Sequence, residues 1–179
     1  MRISHMLMTV TAAILMQVPA TAASPSEEMS VGWTIAPAGS RADQVQFEVE
    51  YASASSRSQL SRPVHMSELE GLSQAQLGST EGRPVRFRIA REAGTLDCTG
   101  IVRQARGTGG CRFSGSDGFA DAVTRLGIDR PNTKQLFHLA MAGVGTPLLK
   151  ELDRQGYAKP TLSQLVGLGI HGADLDYLR

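Results

Sequence analysis

The chain predicts an α+β fold: a small antiparallel sheet with a disulfide-linked hairpin, followed by four to five short helices in helix-turn-helix repeats. Three observations carry the prediction. Apolar residues alternate with polar ones in segments between Val45 and Phe113, the period of a half-buried strand. The only two cysteines, Cys98 and Cys111, fall within those segments. Beyond Ser114 the apolar spacing turns helical, and glycines punctuate it at regular intervals.

At the N-terminus Arg2 and His5 precede an uncharged apolar run from Leu7 to Val18. Pro19 then breaks any helix, and Ala20-Thr21-Ala22-Ala23-Ser24 supplies small residues for a signal peptidase. The run has roughly 12 residues where a membrane-spanning helix needs roughly 20. Residues 1–23 therefore read as a signal peptide and the mature chain as periplasmic or secreted, with no membrane span after cleavage. The 18 basic and 17 acidic side chains include Arg2, so the mature chain is neutral. Neutrality argues against nucleic acid, whose binders carry a large basic excess.

Residues 24–114 form the β-rich part. Val45, Phe47, Val49 and Tyr51 share one face of a strand. The Ser-rich run from Ala52 to Ser61 reads as a loop, and Ser67 to Leu77 as a short helical turn with Leu69, Leu72 and Leu77 on one face. Val85, Phe87 and Ile89 mark a second strand. Leu96, Cys98 and Val102 follow the Ala93-Gly94 turn, and Cys111 with Phe113 closes the set. A hairpin setting Cys98 opposite Cys111 also sets Leu96 opposite Phe113, all on the buried face. Export makes a disulfide the default state of this pair. A metal would need further ligands, and no histidine lies near.

Residues 115–179 form the helical part, within one compact mature domain. Gly127, Gly143, Gly156 and Gly172 each precede an apolar residue, the pattern of a left-handed helix terminus. Asp117, Asn132 or Thr133, Thr146-Pro147, Thr161 or Ser163, and Asp174 suit helix starts. A shift of 29 residues aligns Gln135-Leu136, Leu139, Gly143-Val144 and Leu149 with Gln164-Leu165, Leu168, Gly172-Ala173 and Leu178. This predicts a duplicated pair of short helices.

Gly71-Leu72-Ser73, Pro84-Val85-Arg86-Phe87, Arg91 to Thr95, Cys98-Thr99-Gly100, Gly107 to Phe113, Glu151 to Tyr157 and Leu165 to Leu178 carry a resemblance. Together they resemble the extracytoplasmic repeat module attached to β-lactam-sensor-type membrane metallopeptidases, found also in uncharacterised bacterial secreted proteins. The chain has no HExxH motif, so the resemblance implies an envelope sensing or interaction role and transfers no catalytic residue.

The chemistry of single residues adds little to that. His138, His171 and Asp174 are the one candidate metal set, but the 29-residue shift matches His138 with Gly167 and His171 with Ala142, which gives the pair no shared design. Ser116 in Ser114-Gly115-Ser116-Asp117-Gly118 does not sit in a GxSxG elbow, and Asp117 reads as a helix cap. The glycines of Gly107-Thr108-Gly109-Gly110 lack the Lys-Ser/Thr of a phosphate loop. Catalytic residues, metal and cofactors are accordingly none. Arg86, Arg88, Arg103 and Arg112 share the polar parity of the sheet and form the candidate binding face. Its expected partner is an envelope protein or an anionic envelope polymer. Glu48, Glu50 and Asp97 share that parity, either to neutralise the arginines or as a carboxylate set for sugar hydrolysis. The leading function is a non-catalytic envelope binding or sensing module. The alternatives are a periplasmic hydrolase acting on cell-wall material and a secreted inhibitor.

Overall fold

The computed structural model describes residues 28–39, 41–52, 57–157 and 159–171. The proposed signal peptide, Gly172, Asp174 and Leu178 lie outside the described residues. Six antiparallel strands make one sheet: β1 (Met29–Pro37), β2 (Gln44–Ala52), β3 (Arg57–His65), β4 (Arg83–Arg91), β5 (Gly94–Arg103) and β6 (Arg106–Gly115). Their spatial order is β3-β2-β1-β6-β5-β4. The expected small sheet is therefore corrected to a large one. β1 was not anticipated, and the second half of the expected Ser-rich loop, from Arg57 to Ser61, belongs to strand β3.

The sheet curls strongly. Phe47 on β2 and Phe87 on β4 are four strand positions apart, about 19 Å in a flat sheet. Their rings nevertheless stand 6.2 Å apart, with Trp33 between them at 6.5 Å from Phe47 and 5.0 Å from Phe87. A 3₁₀ turn (Met66–Glu68) and a one-turn helix, α1 (Gln74–Leu77), lead the chain from β3 across to β4. On the way Glu70 pairs with the outer edge of β4, its N–H and C=O meeting Arg88 at 2.9 and 2.8 Å. Leu69, Leu72 and Leu77 are buried along this segment, though only Gln74–Leu77 of the expected helical turn is α-helix.

The glycines of β6 and β5 make room for Trp33. Register places Trp33 opposite Gly109, and Gly109 opposite Gly100. A Cβ on Gly100 or Gly109 would come within 2.5 or 2.8 Å of the indole. The indole lies across both and donates from Nε1 to the Thr99 carbonyl at 3.0 Å. Two residues farther along the same hairpin, Cys98 and Cys111 face each other in the expected register with Cα atoms 4.0 Å apart, joined by a disulfide. Leu96 faces Phe113.

Four helices of nine or ten residues follow: α2 (Asp117–Arg125), α3 (Thr133–Ala142), α4 (Thr146–Arg154) and α5 (Leu162–Ile170). Their limits obey local rules. Ser116, Asn132 and Thr161 accept from the backbone N–H three residues on, and Gly127, Gly143 and Gly156 take φ of 75°, 73° and 72°. Asp117 is the first residue of α2 rather than its cap. Glu92, in the β4–β5 turn, accepts from the N–H of Thr146 at 2.9 Å and so caps α4 from the sheet.

The helix-turn-helix repeat is not supported. Partners alternate instead of stacking in consecutive pairs, α3 against α5 and α2 against α4. α3 is buried along most of its length and rests on β5 and β6, whereas α5 buries only Leu162 and Leu165. Gln135 and Gln164 echo each other because each closes a capping box, with Asn132 and Thr161 respectively. Shared capping chemistry produces the echo without shared packing. Sheet and helices meet in one apolar core, where Phe137 touches Phe113 and Tyr51 with ring centroids 5.4 and 5.5 Å apart.

Candidate functional site: the open face of the sheet

The face of the sheet turned away from the core carries the polar parity of every strand. Across its middle one row runs Glu50, Gly32, Gly110, Thr99, Arg86, from β2 to β4. The two glycines leave the centre of that row bare. Beside it lies the row Ser30, Arg112, Asp97, Arg88. Apart from Glu50, these residues line an open trough of about 1140 Å³, edged by Glu28 and Glu70 as well.

Three of the four expected arginines line this trough, and their charges are unequal in availability. Arg88 donates from Nε to Asp97 at 2.8 Å. That bond, with the nearby Glu70 carboxylate adding to it, holds the Arg88 guanidinium above its ordinary pKa. Arg112 lies 3.3 Å from Glu28, an acidic partner that sequence reading passed over because Glu28 precedes the first strand. Arg86 has no ion-pair or hydrogen-bond partner among the described residues. Arg103 keeps the parity but leaves the group. It lies beyond Ile101, farther along β5, and its Nε is committed to the Thr80 carbonyl at 3.0 Å. Glu48 and Glu50 sit on β2, across the sheet from the arginines, so Asp97 and Glu28 do the neutralising.

Arg86 presents a planar fork suited to carboxylate or phosphate. Threonine, serine and bare backbone supply the floor of the trough, and the Phe87 side chain below it is buried in the core. Ser116 is occupied as the cap of α2, accepting from Phe119 at 3.2 Å. The segment Gly107–Gly110 lies inside β6, under and beside Trp33. Among the described residues no group of three or more His, Cys, Asp or Glu is placed to hold a metal ion.

His138 belongs to a separate cluster under the helices. Its Nε2 lies 2.6 Å from the Tyr51 hydroxyl, and Lys134 stands 5.5 Å over the Tyr51 ring. Burial first, and Lys134 second, lower its pKa. No helix among the described residues is long and apolar enough to cross a membrane. No known protein family, curated protein or solved structure matches the chain.

Proposed function

We propose that the protein is an exported binding module of the bacterial envelope that holds an anionic group of an envelope polymer or acidic partner protein in the trough. Arg86 carries this reading. It is the one trough arginine left without a carboxylate among the described residues, and it stands at the end of a glycine floor wide enough to admit a ligand. The apolar leader and the Cys98–Cys111 disulfide support export, since such bonds persist in oxidising compartments.

The test is co-sedimentation of the mature chain with purified cell-wall sacculi and with lipopolysaccharide, at low and high salt. Arg86→Glu is expected to abolish retention while changing stability by no more than about 0.5 kcal/mol, as for an exposed side chain. Binding should also weaken with salt, because exposed charges are screened over about 8 Å at physiological ionic strength. Retention that survives both Arg86→Glu and high salt refutes the site. Turnover of wall material that is lost in Asp97→Asn would replace the reading with a hydrolase.

A further inference from the structure

The two outer strands of the sheet are finished differently. The outer edge of β4 is partly covered where Glu70 pairs with Arg88. Among the described residues no strand lies beside the outer edge of β3. The N–H of Met66 bonds to the Asp43 carbonyl at 2.9 Å, and the antiparallel register then alternates. Val64, Arg62 and Leu60 pair their backbone groups with β2, while Pro63, Ser61 and Gln59 turn theirs outward. Pro63 has no N–H to present, which suits an edge position. Ser61 and Gln59 present both N–H and C=O.

An apolar trough of about 310 Å³ runs beside this edge, lined by Leu60, Pro63, Met141, Val166 and Ile170, with Arg62 at its side. Ile170 is 58% exposed. The helical wall is held tightly in place, since Gly169 of α5 packs so close to Ala142 of α3 that a Cβ would stand 2.3 Å from the Ala142 carbonyl oxygen.

Arg62 supplies the third observation. It is half-buried and donates to the Met141 carbonyl at the end of α3. Glu68, the carboxylate that acts on the Arg62 charge, is engaged by Arg91. Burial, and then Arg91, push the Arg62 pKa down. Its charge is therefore under-compensated beside an apolar channel and a free strand edge.

We propose that the edge of β3 receives an extended segment of a partner polypeptide as an added strand, with an apolar side chain in the trough and a carboxylate near Arg62. Backbone pairing at Gln59 and Ser61 supplies affinity, and the trough with Arg62 supplies selectivity. Charge decides against a second copy of this chain as the occupant. The sequence of β3 contains no acidic residue, so pairing two copies edge to edge brings cations together. This site is separate from the Arg86 trough, and either reading stands or falls without the other.

The experiment titrates isotope-labelled mature protein with a short synthetic peptide that alternates valine with serine and ends in a free carboxylate. Amide signals of Gln59 and Ser61 should shift and saturate. The C-terminal amide of the same peptide should bind at least about tenfold more weakly, as expected for a lost hydrogen bond to a charged group. The peptide N-methylated at alternate residues should not bind. Arg62→Gln should remove the preference for the carboxylate. Ser61→Pro should abolish binding without unfolding, because the Ser61 N–H takes no part in the β2 ladder and only the exposed Gln46–Ser61 side-chain bond is lost. Absence of saturable shifts, or binding that survives Ser61→Pro, overturns the proposal. Dimerisation through the same amides would assign the edge to a second copy and overturn it equally.

Discussion

Gly109 and Gly110 are neighbours in β6, and substitution by alanine should affect them in opposite ways. A Cβ on Gly109 points into the core, 2.0 Å from the Thr99 carbonyl oxygen, 2.6 Å from the Gly100 Cα and 2.8 Å from the Trp33 Nε1. Two of these are backbone atoms, which cannot swing aside. β5 and β6 must separate, or Trp33 must leave its bond to Thr99. Overpacking of this kind costs about 1–3 kcal/mol, and loss of the indole hydrogen bond adds about 1 kcal/mol. Gly109→Ala should therefore lose about 2–4 kcal/mol, lowering Tm by about 5–15 °C at the usual 2–4 °C per kcal/mol for a domain of this size. A Cβ on Gly110 points to the open face, where the nearest atom is the Val31 carbonyl oxygen at 3.9 Å. Gly110→Ala should be neutral, or gain up to about 1 kcal/mol from a less flexible unfolded chain. Urea and thermal unfolding of the oxidised mature protein measure both. Trp33 is the single tryptophan, so its emission should shift to the red in Gly109→Ala alone. Equal costs at the two positions, or a larger cost at Gly110, would refute the placement of Trp33 over the glycines.

Two further outcomes follow from the core. Replacing Cys98 and Cys111 by alanine opens a loop spanning a sequence separation of 13, which should cost about 3 kcal/mol through the unfolded state; an unfolding midpoint in urea that hardly moves would count against it. His138 should make stability fall as pH drops below its ordinary value of about 6.5. Its folded pKa lies lower, so in that window the unfolded chain binds a proton that the folded chain refuses, and the loss levels off once pH passes the folded value. Unfolding of His138→Gln at matched pH values should show a shallower decline, and an unchanged slope would assign the dependence elsewhere.

What could be read from the chain alone was local. Strands β2, β4, β5 and β6 announce themselves by alternation, and the cysteine register follows from parity within one hairpin. Helix limits follow from capping side chains and left-handed glycines a few residues apart. β1 was not anticipated, although Val31, Trp33 and Ile35 alternate with Gly32 and Thr34. β3 was not legible, because RSQLSRPVH offers only Leu60 and Val64 as inward apolar positions and turns Arg62 toward the core side. Its strand state comes from pairing with β2.

Tertiary structure decided the curl of the sheet, the alternate pairing of helices and which of the four arginines has no partner among the described residues. Each of these depends on partners distant in sequence. Trp33 reaches Thr99 across 66 residues, Arg62 reaches Met141 across 79 and Tyr51 reaches His138 across 87. Arg88, Arg103 and Arg112 have the same parity as Arg86, and parity states only which face a side chain leaves from. Whether a charge on that face stays available depends on which carboxylate or carbonyl the folded chain carries to it. Asp97 and Glu28 arrive at Arg88 and Arg112, and the Thr80 carbonyl at Arg103. Capping and alternation act over a few residues and are written in the order of the chain, whereas ion pairing and close packing act over distances that only the fold creates.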